Sequence, residues 1–148
     1  MVAENINLPI TDAEWEVMRV VWATKETTSR EVTAVLNEKT EWKNTTVKTL
    51  LSRLVEKEML GTRKVGNKFV YYPLVEERVS IETLALGLLS KICSKKVGNL
   101  LGTMIQQSEL SRSDFEGLQQ LLQEKSKTAV AEVACNCVPG QCQCQHIN

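Results

Sequence analysis

Apolar positions recur at helical period in three short stretches near the start of the chain, then alternate, then return to helical period. Thr11-Asp12-Ala13-Glu14 has the spacing of a capping box. Trp15, Met18, Val21 and Trp22 follow it on one stripe, which predicts a first helix over residues 12–23. Thr28-Ser29-Arg30-Glu31 repeats the capping spacing and predicts a second helix over 29–39, with Val32, Val35 and Leu36 inward. Asn44 is placed to cap a third helix over 45–57, whose Val47, Leu50, Leu51 and Leu54 share a face. Residues 62–65 and 68–72 then flank Gly66-Asn67, a two-residue loop that suits a β-hairpin ended by Pro73. Helical spacing resumes over 75–92, 94–107 and 113–127, the last opened by Ser113-Asp114-Phe115-Glu116. Residues 134–148 have no helical period.

This order of elements predicts a mainly α protein. Three short helices and a hairpin over residues 1–74 suit a winged helix-turn-helix with a small β wing. Residues 75–130 form a helical module, and residues 131–148 a cysteine-rich tail. A hydrophobic share of 43% with 24% charged residues places the chain of 148 residues among globular proteins. The run Leu84-Ala85-Leu86-Gly87-Leu88-Leu89 is too short to span a bilayer, so no membrane association is expected. Met1-Val2-Ala3-Glu4-Asn5 lacks the basic-then-apolar pattern of a secretory signal, which predicts a cytoplasmic protein with reduced thiols. The chain has one His, which weighs against enzymes that need a His base, and no enzymatic activity is expected.

The formal net charge of zero hides an uneven distribution. Residues 1–41 carry a net −4 and residues 75–148 a net −1, whereas residues 42–72 carry +5 from Lys43, Lys48, Arg53, Lys57, Arg63, Lys64 and Lys68 against Glu56 and Glu58. A basic block of this length suggests a polyanion partner, although a solvated charged face would show the same composition. At about 100° per residue, the third helix turns Thr45, Lys48, Thr49 and Ser52 away from its apolar stripe, with Thr46 and Arg53 on the flanks. Hydroxyls, Lys and Arg reach phosphates and base edges of double-stranded DNA. In the hairpin, Arg63, Lys64 and Lys68 are placed to grip the backbone. Trp15, Trp22 and Trp42 read as core, and Tyr71 and Tyr72 as residues that dock the wing.

The segments Thr11-x-x-Glu14-Trp15-x-Val17-Met18-x-x-Val21-Trp22 and Thr46-Val47-x-Thr49-x-Leu51-x-Arg53-Leu54 resemble the penicillinase-repressor family of bacterial winged-helix repressors. The resemblance runs over about residues 10–73 and implies a homodimer on an inverted-repeat operator. It implies recognition-helix roles for Thr46, Thr49 and Arg53. One departure is Glu58, where relatives often carry Gly.

The second half reads as a module that pairs with a second copy. Ile81, Leu84, Ala85, Leu88, Leu89 and Ile92 form one broad stripe, and Val97, Leu100, Leu101, Met104 and Ile105 another. Phe115, Leu118, Leu121 and Leu122 form a third. Three short helices barely enclose a core of their own, so these stripes suit burial against a symmetry mate, and a two-fold dimer suits a palindromic site. A small monomeric bundle packed on the first domain remains the alternative. Cys93, beside an apolar face, reads as a buried small residue rather than a ligand.

The tail carries the most specific chemistry. Cys135-Asn136-Cys137 and Cys142-Gln143-Cys144 are two Cys-x-Cys pairs four residues apart. In extended chain, residues two apart point the same way, and Pro139-Gly140 suits a type II turn that folds one pair towards the other. Four converging thiols suit tetrahedral Zn²⁺ or bridged Cu(I), and the tight spacing leans towards copper. His146 is a nearby fifth candidate. A winged helix of this kind followed by Cys-x-Cys-x₄-Cys-x-Cys resembles the copper-responsive CopY-type repressors of Gram-positive bacteria. That resemblance implies a repressor of copper export genes, DNA-bound with one Zn²⁺ per chain and released when two Cu(I) replace it, with a copper-donating chaperone as a further candidate partner. A zinc or general soft-metal sensor, a copper-buffering metallochaperone and a thiol redox sensor are the other readings the tail allows.

Overall fold

A computed structural model describes residues 9–144 and divides the chain into two compact units, residues 1–84 and 85–148. In the first unit, α1 (Asp12–Thr24), α2 (Ser29–Leu36) and α3 (Asn44–Glu56) precede an antiparallel hairpin of β1 (Leu60–Val65) and β2 (Lys68–Pro73). α4 (Glu77–Leu89) runs across the division. In the second unit a single 3₁₀ turn, Ser94–Lys96, leads into α5 (Val97–Gln107), and α6 (Arg112–Ser126) precedes the tail. The fold class is the one the sequence predicts: a mainly helical winged helix-turn-helix with a two-stranded wing and a C-terminal cluster of cysteines.

The three helices build one core, with the buried face of α1 centred on Val17, Met18, Val20 and Val21 and not on the predicted stripe that began at Trp15. Val17, Met18, Val21, Val32, Val47, Leu51 and Leu54 are fully buried, and Leu60 brings the foot of the wing into the same cluster. Trp22 and Trp42 pack against this core, as expected, and Trp15 meets Trp22 edge-on at 5.6 Å. The Trp22 indole N–H donates to the carbonyl of Val75 at 2.9 Å, which anchors the chain leaving the wing. The hairpin turns at Gly66-Asn67 with Val65 paired to Lys68, and Gly66 takes φ 63. Thr27 adds a bridge to Tyr71 that the sequence does not announce. Across the hairpin, a Cβ at Gly61 would fall 2.4 Å from the Tyr72 ring, so only glycine lets that ring lie over β1.

Four local expectations are corrected. Val35 is 54% exposed and not inward, because α2 ends at Leu36 and presents Val32 and Leu36 alone to the core. Asn44 is the first residue of α3 and does not cap it; its side chain accepts from the Thr33 hydroxyl at 3.1 Å. The capping box at α6 is Ser111 with Asp114, two residues earlier than Ser113 suggested. At α1 only half of the predicted box forms: the Thr11 hydroxyl accepts from the Glu14 N–H, while the Glu14 carboxylate turns inward to Lys57.

The exit from α3 explains the departure at Glu58. Met59 N–H donates to the Leu54 carbonyl and Glu58 N–H to that of Val55, the paired bonds of a Schellman motif. That motif holds Glu58 at φ 61, where a side chain is strained and glycine is not. Glu58→Gly is therefore expected to raise stability by about 1 kcal/mol, read as an increased urea midpoint at unchanged slope.

The second unit has little interior. Among its described residues Cys93 is the one buried hydrophobic. Leu101, Met104, Phe115, Leu121 and Leu122 are exposed, as are Leu88 on the last turn of α4 and Leu84 just before the division, while Leu100 and Leu118 are half-covered. A helical segment that leaves such stripes uncovered has not finished burying its surface.

Candidate nucleic-acid face and metal centre

The exposed face of α3 is polar throughout. Thr45, Thr46, Lys48, Thr49, Ser52 and Arg53 are all exposed, opposite the buried Val47, Leu50, Leu51 and Leu54. The face follows from period: apolar positions three and four apart are drawn into the core, which turns the intervening residues to solvent. The Thr49 hydroxyl donates to the Thr45 carbonyl at 3.1 Å, and its oxygen lone pairs stay free to accept from another group. Among the described residues, Lys48, Arg53, Lys64 and Lys68 make no ion pair, which leaves their charge available to an anionic partner.

Arg63 differs from its neighbours in the wing. Its guanidinium donates to Glu26 at 2.6 Å and lies 5.9 Å from the Tyr72 ring. The bond to Arg63 holds the Glu26 carboxyl below its ordinary range, and the Arg63 guanidinium is pushed up in turn. Arg63 thus braces the wing, and contact with a phosphate would have to share it with Glu26. Sequence spacing placed Arg63 correctly on the wing but gave no sign of a partner 37 residues away.

At the other end of the chain the cysteines converge. The Gln141 N–H donates to the Val138 carbonyl at 3.1 Å, and Gly140 sits at φ 97, so Pro139-Gly140 occupies the middle of a type II turn. That turn brings Cys142 Sγ to 3.4 Å from Cys135 Sγ. Cys93 joins them, 3.5 Å from Cys135 and 3.7 Å from Cys144. The sulfurs of Cys93, Cys135, Cys142 and Cys144 all lie within 4.8 Å of one another. Cys137, the fourth predicted tail ligand, stands beside this group and outside it. Its backbone N–H donates to Cys135 Sγ at 3.4 Å and its thiol reaches towards the Asn136 side chain.

Cys93 is thus buried, as its apolar setting suggests, and is also one of the clustered thiols. The sequence reads it as a buried residue and not a ligand because 42 residues separate it from Cys135; the one hint of a place among the thiols is an odd fifth cysteine beside four paired ones. His146 lies outside the described residues.

The donor set fits a thiophilic cation. A tetrahedral zinc–thiolate site with bonds of about 2.3 Å requires sulfurs about 3.8 Å apart, and the shortest contacts here are 3.4, 3.5 and 3.7 Å. Electrostatics agree. Hydrogen bonding with Cys142 and Cys93 pushes the Cys144 thiol up to about 12. Loss of solvent, together with contacts to Cys135, Cys142 and Cys93, pushes Cys137 up to about 12. Cys142 is lowered, chiefly by the backbone N–H of Cys144. Crowded thiols cannot all ionise at neutral pH without a compensating positive charge, and a metal ion supplies it. The four clustered cysteines could hold one metal ion.

Helical core, β wing and polar third-helix face together define a winged-helix protein. Residues 10–124 match the penicillinase repressor family. The chain is 43% identical over 143 residues to a 16.5 kDa protein encoded in the ptsI 3' region of Latilactobacillus sakei, covering 97% of each. It is 31% identical over 115 residues to a penicillinase repressor of Bacillus licheniformis, covering 78% of this chain and 90% of that one. A solved CopR repressor structure shares 51% identity over 47% of this chain and 100% of that one, with a TM-score of 0.40. The chain belongs to the penicillinase repressor family and is a DNA-binding transcriptional repressor, not an enzyme. Among the described residues no helix is long and apolar enough to cross a membrane.

Proposed function

We propose that the protein is a homodimeric, metal-responsive repressor of copper homeostasis genes, acting in the cytoplasm on an inverted-repeat operator. Its zinc-loaded form holds DNA, and Cu(I), handed over by a copper-donating chaperone, releases it. The observation that carries this reading is the thiol cluster: four soft sulfur donors within 4.8 Å of one another, in a chain whose other half is a DNA-binding domain. Thr45, Thr46, Lys48, Thr49, Ser52 and Arg53 face the major groove, and Lys64 and Lys68, with Arg63 braced behind them, follow the phosphates. The helices of residues 75–130 pair with a second copy through the exposed Leu84, Leu88, Leu101, Met104, Phe115, Leu121 and Leu122 and the half-covered Leu100 and Leu118. Sedimentation of the metal-loaded protein at micromolar concentration is expected to give twice the single-chain mass; a single-chain mass overturns the dimer.

The switch is geometric. Four thiolates with one Zn²⁺ or with two Cu⁺ carry the same formal charge, so exchange adds no repulsion towards DNA. What changes is coordination: zinc gathers four sulfurs into a tetrahedron, whereas Cu(I) accepts fewer and shares them. A titration of the chain's own upstream promoter with apo, zinc-loaded and Cu(I)-loaded protein tests the reading. Tight binding of the zinc form and release by Cu(I) are expected. Equal release by other soft ions would make it a general soft-metal sensor, and indifference to every metal would sink the proposal.

The reading element is tested separately. Arg53→Ala and Thr49→Ala are expected to weaken operator binding by about 1–3 kcal/mol and relax its specificity. Lys64→Ala or Lys68→Ala should weaken all DNA alike and reduce the salt dependence. The opposite pattern in competition binding reverses the assignment.

A further inference from the structure

The four sulfurs gathered most tightly are not the four of the tail. Cys93, Cys135, Cys142 and Cys144 form the mutually close set, and Cys137 is left beside it. We infer that zinc is held by Cys93 with Cys135, Cys142 and Cys144, and that Cu(I) trades Cys93 for Cys137, so that metal exchange removes the metal-mediated tie between the tail and the start of α5 and leaves only the Ser94 hydrogen bonds there. The inference rests on the metal-responsive reading above and names the residues that would make it a switch.

Three features support Cys93 as a zinc ligand. Its sulfur lies 3.5 Å from Cys135 and 3.7 Å from Cys144, close to the edge lengths of a zinc–thiolate tetrahedron. The neighbouring Ser94 docks the tail independently of any thiol: its backbone N–H donates to Asn136 Oδ1 at 2.8 Å, and its hydroxyl donates to the Ala134 carbonyl. Cys93 also stands two and three residues before Lys95 and Lys96, whose positive charge offsets part of the charge of an anionic cluster. A thiolate at a site only 6% exposed needs such compensation.

Copper has no need of Cys93. Two ions of low coordination number, sharing sulfurs, are satisfied by two Cys-x-Cys pairs within ten residues, without ordering a connection 42 residues long. The exchange balances. Two Cu⁺ enter and one Zn²⁺ leaves, Cys137 gives up its proton on joining the copper cluster, and Cys93 takes one on leaving the zinc site. The consequence falls on α5, whose Leu101, Met104 and Ile105 are among the uncovered apolar residues.

The test counts thiolates in full-length protein loaded with Co²⁺, a spectroscopic stand-in for zinc. The wild type and Cys137→Ser are both expected to show the full sulfur-to-cobalt charge-transfer band of a four-thiolate site. The chain has only five cysteines, so four thiolates without Cys137 require Cys93. Cys93→Ser should lose about a quarter of the band and weaken zinc binding by more than ~10-fold, while still taking up two Cu(I) per chain. Cys137→Ser should instead lose Cu(I) capacity. A Cys137→Ser variant with a diminished cobalt band, alongside an undiminished Cys93→Ser, overturns the inference and returns the zinc site to the tail alone. This result is distinct from failure of the broader reading, in which the wild type itself shows no cobalt band. Should Cys93→Ser fold poorly by circular dichroism, the Cys137→Ser band decides the matter alone.

Discussion

Replacing Cys142 and Cys144 together by serine is expected to abolish the metal response while leaving the DNA-binding domain folded. The pair lies in the second unit, and the buried hydrophobic cluster that includes Val17, Leu51 and Leu60 lies wholly in the first, so the loss of two thiols removes nothing from that core. Both residues belong to the close group of four, and both belong to the tail's second Cys-x-Cys pair. The variant therefore loses half the donors of either metal form. Driving an operator from 99:1 occupied to 1:99 needs about 5.5 kcal/mol of differential affinity between the two states. A ligand supplies such a shift only through contacts that differ between the states, and without these thiols neither metal retains them. In a mobility-shift titration the variant should bind with one affinity whether apo, zinc-treated or Cu(I)-treated. Release by Cu(I) from this variant would show that the tail is not the sensor. A geometric switch also requires zinc- and Cu(I)-loaded wild type to scatter X-rays differently; identical profiles with different DNA affinities would refute it.

The second large effect is expected at Lys57→Met. Glu14 is 1% exposed, and its carboxylate accepts from Lys57 Nζ at 2.6 Å. The same ammonium donates to the Pro9 carbonyl at 2.6 Å, tying α1, the end of α3 and the chain before α1 together. Removing the lysine leaves a carboxylate buried without its counter-charge, which costs about 3–5 kcal/mol, a large part of a small domain's stability. Methionine keeps the apolar stem, so the loss reports charge more than packing. The double variant Glu14→Leu/Lys57→Met should recover most of it, because removing both partners strands neither charge. Urea unfolding followed by tryptophan fluorescence checks both. A single variant within 1 kcal/mol of wild type would mean that water reaches Glu14.

Much of the first unit was legible because its signals are local. The stripe Val47, Leu50, Leu51 and Leu54 fixed both the buried face of α3 and, by subtraction, the polar face of Thr45, Lys48, Thr49 and Ser52. Gly66-Asn67 announced the wing turn, and Pro139-Gly140 the turn in the tail, since each needs a positive φ that few residues tolerate. Misreadings came where two local signals competed. The cap of α6 is Ser111 and not Ser113, because Ser111 and Asp114 satisfy each other's backbone N–H groups. Val35 lies to the side of the narrow face that Val32 and Leu36, four residues apart, turn to the core.

By itself, then, the sequence determined the order of helices and wing, the polar face of α3 and the presence of a tail of closely spaced cysteines, because periodicity, turn chemistry and paired cysteines act within a few residues. Only the tertiary structure decided which groups separated along the chain become neighbours. It put Lys57 on Glu14, Glu26 on Arg63, and Cys93 in the place among the sulfurs that spacing had given to Cys137. The physical reason is common to all three. A contact closed over tens of residues depends on how whole elements pack, and no local pattern of side chains records that.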